Sequence, residues 1–167
     1  RIAQLTLTGF SAGHGAIRAI LRSHAVDCGV DANRLVFSQL TTRQLRLAQT
    51  VLADICLDTW PNQDFDVVHD ALAAGVPVVS LAGKSFHSRT GLGLLEAAGL
   101  GSLVTTTVDA YRAKAVELAL APAKLADVRR SLAEASKTQP LFDVRAFNTA
   151  LLDTLTKLTG RNVADKS

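Results

Sequence analysis

Apolar residues along this chain follow two rhythms. Short runs rich in β-branched and aliphatic residues alternate with amphipathic stretches of roughly 10 to 15 residues, the pattern of parallel strands joined by helical crossovers. The spacing predicts a strand over Ile2–Thr8, a helix over Ala16–Cys28, a strand over Arg34–Phe37 and a helix over Thr42–Val51. A buried strand over Asp54–Asp58 follows, and then a helix that Asp64 or a neighbour caps and that runs to Ala74. Gly75 and Pro77 end that helix and release a strand over Val76–Leu81. Ser88 is expected to cap a helix closed at Ala98 by Gly99; a short strand over Ser102–Thr105 and a helix over Val108–Leu120 complete the alternation.

After Pro122 only helical periodicity remains, with Leu125, Val128 and Leu132 on one stripe and Phe147, Leu151, Leu155 and Leu158 on another. These stripes are expected to pack on the sheet or to cross to a partner domain. The fold class is therefore α/β, a Rossmann-like parallel sheet with flanking helices and a helical C-terminal tail. No repeat or linker interrupts it, so residues 1–160 read as one domain and the polar segment Arg161–Ser167 as a frayed end.

Composition narrows the functional classes. At 167 residues and 48% hydrophobic content the chain can bury one substantial core. Its longest apolar stretches fall short of the roughly 20 residues a membrane-spanning helix needs, so no membrane partner is expected. The net charge of +3 is spread over helices, and aromatic residues are 5% of the chain, which is not the basic, aromatic-interleaved surface of a nucleic-acid binder. Cys28 and Cys56 stand far apart with no second ligand at metal spacing, so neither a disulfide scaffold nor a metal is expected, and a reducing cytoplasm fits. The first residue is Arg1, which reads as a fragment or a processed piece.

In an open parallel sheet, ligands settle at the carboxyl ends of the strands, near helix N-termini. Three loops qualify: Ser38–Thr42, Asp58–Asp66 and Ala82–Ser88, the second being longer than mere connection requires. Gly83-Lys84-Ser85 mimics the end of a phosphate-binding loop, but Val78 stands where its first glycine belongs. Gly91-Leu92-Gly93 lies in a predicted helix, with Glu96 in place of the third dinucleotide-fold glycine. Both read as chance matches. His14, His24, His69 and His87 share no ligand spacing and read as surface or capping residues; no catalytic residue and no cofactor is assigned. A phosphoacceptor reading of Asp58 with Lys84 lacks the paired acids expected between Leu5 and Ala12.

Leu57-Asp58-Thr59, His69 through Val79, Leu81 through Arg89, Leu94 through Leu100, Pro140 through Asp143 and Asn33 through Ser38 together resemble the C-terminal lobe of the O-linked N-acetylglucosamine transferases, especially their bacterial relatives. The likeness implies one lobe of a two-lobed type-B glycosyltransferase fold, holding a uridine diphosphate sugar, while a second, N-terminal lobe supplies much of the acceptor cleft. By position, Thr41 would meet the uracil through its backbone, Arg43 would flank the base, and Arg46 would stand where the family places a histidine. Asp70 would accept the ribose hydroxyls, an ionised carboxylate being able to take two charge-assisted donors. At the helix start the family has Gly-His-Thr-Thr, whereas this chain has Asp64-Phe65-Asp66-Val67, and Gln49 stands where an arginine is common. Two carboxylates there would repel a diphosphate by on the order of 1 kcal/mol for each close pair.

The resemblance thus implies a donor-binding lobe of an enzyme moving a sugar, N-acetylglucosamine, from a uridine diphosphate sugar to a protein Ser or Thr, inactive without its other lobe. The competing expectation is a degenerate lobe serving as a non-catalytic scaffold or interaction module.

Overall fold

A computed structural model describes residues 5–10, 15–39 and 42–160. The chain divides into two compact units, residues 1–46 and 47–167.

In the first unit, β1 (Leu5–Phe10) and β2 (Leu35–Gln39) pair in parallel, with Leu5 opposite Leu35 and Leu7 opposite Phe37 before the register shifts towards Phe10 and Gln39. Between them lies α1 (Gly15–Asp27), closed by Gly29 at φ +74°, a left-handed conformation that glycine adopts without steric cost. Arg18 and Arg22 of α1 reach over the Phe37 ring, at 5.7 and 5.3 Å from its centroid, and so tie the helix to β2. The helix α2 (Arg43–Thr50) spans the division between the units.

The second unit is built on a parallel sheet of order β3–β4–β5: β3 (Cys56–Leu57), β4 (Val78–Leu81) and β5 (Val104–Thr105). Every residue of the central strand β4 is buried, the three aliphatic ones as a strand covered on both faces requires and Ser80 with its hydroxyl hydrogen-bonded. Around it stand α3 (Phe65–Ala73), α4 (Thr90–Ala97), α5 (Val108–Leu120) and α6 (Pro122–Thr138), and α7 (Val144–Thr159) follows them in the chain. The core gathers Val68, Ala71 and Leu72 from α3, Val78 and Val79 from β4, Leu94 and Leu95 from α4, Leu118 from α5 and Leu132 from α6.

Three expectations need correction. The strand expected over Asp54–Asp58 is only two residues long, because Arg129 of α6 donates to the carbonyls of Ala53 and Asp54 and holds that backbone outside the ladder; Leu57, expected to be buried, is 42% exposed. The strand expected from Val76 begins at Val78, since the Val76 amide donates back to the Ala71 carbonyl in closing α3. Ser88 does not cap α4; it ends a 3-10 turn over Phe86–Ser88, and Arg89 precedes the helix. Of the two arrangements expected for the Phe147–Leu158 stripe of α7, packing on the sheet is not the one found, for Phe147 is 62% and Leu158 78% exposed. The expected strand start at Ile2 and the tail from Arg161 lie outside the described residues.

Candidate functional site

Beyond β3 the chain enters the long loop that the sequence marked out. The Asp58 amide donates to the Val79 carbonyl, continuing the strand pairing for one more bond, and the side chain then turns into the protein at 5% exposure. Its Oδ2 accepts from Ser80 Oγ at 2.7 Å. Ser80 Oγ in turn accepts from Gln63 Nε2 at 3.0 Å, and the same nitrogen donates to the Leu81 carbonyl. Gln63 Oε1 accepts from the Gly91 amide at 2.8 Å. One buried carboxamide therefore fastens the end of the loop to both β4 and α4. From α5, the Tyr111 hydroxyl donates to the Asp58 carbonyl at 2.9 Å and fastens the loop's beginning. Within the loop, Thr59 Oγ1 donates to the Asn62 carbonyl at 2.8 Å, and the Trp60–Pro61 peptide is cis.

This network sets the local electrostatics. Burial pushes the Asp58 carboxyl up to about 6, against the downward pull of its Ser80 and Thr59 hydrogen bonds, and the charge of Asp64 adds to the rise. Burial, then Asp58, lifts the Cys56 thiol to about 11; burial, then Asp58 and Cys56, lifts the Tyr111 phenol to about 12. Neither is a poised nucleophile or base. Asp58 is buried and bonded instead of presented for phosphorylation, which removes the structural ground for a phosphoacceptor reading.

Gly91 belongs to this network, although the sequence singled out its surroundings only as a failed dinucleotide motif. A Cβ at Gly91 would run into the Ser80 hydroxyl and the Asp58 carboxylate, whereas one at Gly93 would meet nothing. The glycine is there because α4 approaches β4 closely.

At its other end the loop delivers Asp64, which of the positions expected to cap α3 is the one that does. Asp64 Oδ1 accepts from the amides of Asp66 and Val67 at 3.0 and 3.4 Å. Those are the donors that a helix start otherwise offers to an anion. The residues singled out along this helix fall on two faces. Asp64, Phe65 and Asp66 point outward, with the Phe65 ring stacked on His69 at 5.7 Å between centroids, while Val67 is half-buried. Asp70 is 1% exposed, with His69 Nδ1 at 3.7 Å from its Oδ1. A helix aspartate is ordinarily solvated; this one is held inside, at the level of Val68, Ala71 and Leu72. Arg43 is exposed and Arg46 half-buried on α2, in the other unit, and Thr41 lies outside the described residues.

The second and third candidate loops come together. Trp60 and Pro61 from the one, Leu81 to Ser85 and Ser88 from the other, with Thr106 and Val108 after β5, line a cleft of about 630 Å³ at the carboxyl ends of β4 and β5. Its floor is tightly folded. The Gly83 amide donates to the Ser88 carbonyl at 2.7 Å, the Ser85 amide to Ser88 Oγ at 3.1 Å, and a Cβ on Gly83 would strike Ser88. With those amides engaged, Gly83-Lys84-Ser85 is no phosphate cradle of the P-loop kind, in keeping with the missing glycine at Val78. Sequence reasoning named the loops but not this cleft, and it left out Trp60. Among the described residues no helix is long and apolar enough to cross a membrane, and no group of three or more His, Cys, Asp or Glu gathers as a metal site would.

Comparison with known proteins places these features. The profile of glycosyl transferase family 41 matches residues 7–151. The Caenorhabditis elegans UDP-N-acetylglucosamine–peptide N-acetylglucosaminyltransferase is 32% identical over 127 residues, which are 76% of this chain and 11% of that protein. A solved structure of a mutant Thermobaculum terrenum O-GlcNAc transferase superposes with a TM-score of 0.84 at 28% identity, covering 93% of this chain and 30% of that one. The chain therefore spans a small part of the length of the proteins it matches.

Proposed function

Because the chain belongs to glycosyl transferase family 41, we propose that it is the donor-binding lobe of a glycosyltransferase that moves N-acetylglucosamine from a uridine diphosphate sugar to a Ser or Thr hydroxyl of a protein. The observation that carries this reading is the superposition of 93% of the chain on part of an O-GlcNAc transferase. The βα alternation and the long loop entering α3 support it independently of the family. In this reading Thr41, Arg43 and Arg46 contact the base, Asp70 receives the ribose hydroxyls, and residues 64–67 lie beside the donor. An N-terminal lobe brings the acceptor, and the cytoplasm is the place of action. Catalysis then rests on orienting the donor and stabilising the departing diphosphate, since no described side chain stands out as a general base.

Titration calorimetry with uridine diphosphate tests it. Saturable binding is expected, weakened about tenfold or more in Asp70→Asn, with circular dichroism confirming that the variant folds. Heat-free titrations of the folded wild type at high concentration would sink the reading.

One observation favours a second reading, a non-catalytic scaffold. The Asp64 carboxylate occupies the amides at the start of α3, and Asp66 adds a further negative charge beside them. A chain that forms a tight stoichiometric complex with another polypeptide, yet binds no uridine nucleotide, would establish the scaffold instead.

A further inference from the structure

The helix start and the neighbouring cleft differ in what they offer to an anion, and one loop supplies both. At the start of α3 the amides of Asp66 and Val67 are already bound by Asp64, so a diphosphate arriving there would displace one carboxylate and face another. Four residues before Asp64, Trp60 opens onto the cleft, its indole 53% exposed. The cleft walls include Lys84 and no carboxylate. Among the described residues, Lys84 has no hydrogen-bond or ion-pair partner, whereas its neighbours Gly83 and Ser85 are held by Ser88. Thr106 adds an exposed hydroxyl at the end of β5. At about 630 Å³ the cavity lies within the roughly 300–1,000 Å³ of small-molecule sites, and it sits at the carboxyl ends of parallel strands, where such ligands dock.

Resting on the donor-lobe reading above, we infer that the cleft between Trp60 and Lys84, and not the start of α3, takes the phosphorylated end of the donor. The Lys84 ammonium supplies the counter-charge that α3 withholds, the Thr106 hydroxyl supplies a donor, and the indole covers one side. Gly83-Lys84-Ser85 then has a role unlike that of a P-loop: one lysine presented over a closed turn instead of a ring of amides. The arrangement also assigns Asp64 a part in specificity, as a built-in anion that keeps α3 closed to phosphate.

Trp60 is the chain's single tryptophan, so its emission, excited at a wavelength the uracil ring does not absorb, reads this cleft alone. Uridine diphosphate and inorganic pyrophosphate are expected to shift or quench that emission saturably, and uridine is expected to bind by calorimetry without doing so. In Lys84→Gln the affinity for uridine diphosphate should fall about tenfold while that for uridine stays unchanged. Asp64→Asn, which keeps a capping side chain, should alter uridine diphosphate affinity less than threefold. The inference is overturned if uridine diphosphate binds with no change in Trp60 emission, if Lys84→Gln binds it as the wild type does, or if Asp64→Asn alone raises its affinity tenfold. A wild type that binds neither uridine nor uridine diphosphate overturns the donor-lobe reading itself, a result distinct from any of these.

Discussion

Two residues at the end of β3 and the start of α4 concentrate the chemistry of the second unit. Asp58 is a buried carboxylic acid whose pKa is lifted from 3.8 to about 6, so the folded chain holds that proton more tightly than the unfolded chain does. Stability supplied by the bound proton is therefore full below about pH 4 and is lost as pH rises towards 6, the reverse of the usual behaviour of a salt-bridged carboxylate. Each pH unit of displacement corresponds to 1.36 kcal/mol, so the loss amounts to at most about 3 kcal/mol. Asp58→Asn keeps an oxygen for Ser80 to bond and removes the titration. Urea unfolding at several pH values between 4 and 7 should show the variant gaining on the wild type as pH rises; parallel curves would mean that Asp58 ionises as freely folded as unfolded. Gly91 poses a steric question with its control two residues away. A methyl group there must push aside Ser80 and Asp58, so Gly91→Ala is expected to cost about 1–3 kcal/mol. Gly93→Ala meets open space on the same helix and should gain up to about 1 kcal/mol from better helix propensity. Thermal melts of the two variants should move in opposite directions.

Elements whose signals are local were legible, and those set by distant partners were not. The helix expected over Val108–Leu120 has those limits in the structure, where Thr107 caps it through the Ala110 amide and Pro122 opens the next helix. Asp64 and Gly75 likewise bound α3 from either end, Gly75 at φ +75°. The strand β3 was overestimated because the guanidinium that draws off its first carbonyls comes from Arg129, 76 residues away from Ala53. The cleft escaped for the same reason: Trp60, Lys84 and Thr106 meet only through the sheet order, and the Gln63–Gly91 bond that fixes their loop spans 28 residues. Two stripes with the same apolar spacing proved to have different fates. Leu132 of α6 is 1% exposed, so Leu132→Ala is expected to cost about 2–5 kcal/mol. Leu151 and Leu155 of α7 are 45% and 41% exposed, so replacing both by Glu should change the unfolding free energy by less than about 1 kcal/mol. Denaturant titrations of the two variants compare the stripes directly, and equal losses would show that α7 shares the core. Periodicity identifies an amphipathic face; it does not say what covers it.

On the scale of the molecule, the chain superposes on 30% of the O-GlcNAc transferase and aligns with 11% of the nematode enzyme, and the proposed function has to fit that proportion. Donor recognition needs a sheet edge, a cleft and a few fixed polar groups, all of which can be furnished by one lobe. Transfer needs more: an acceptor hydroxyl held about 3–3.5 Å from the sugar carbon and aligned for attack, a demand that positioning alone makes worth several kcal/mol of barrier. Among the described residues lining the cleft the one ionisable side chain is Lys84, while Asp58 is locked to Ser80 and the Tyr111 phenol is pushed up to about 12, so none of these three suits taking a proton from an incoming alcohol. The 167-residue chain is therefore expected to bind uridine diphosphate yet to leave a Ser- and Thr-containing peptide unmodified when supplied with UDP-N-acetylglucosamine, as intact mass spectrometry would record over hours. A mass increase of one N-acetylhexosamine on the peptide with the chain alone would place the acceptor cleft within these residues, and the division of labour between lobes would have to be abandoned.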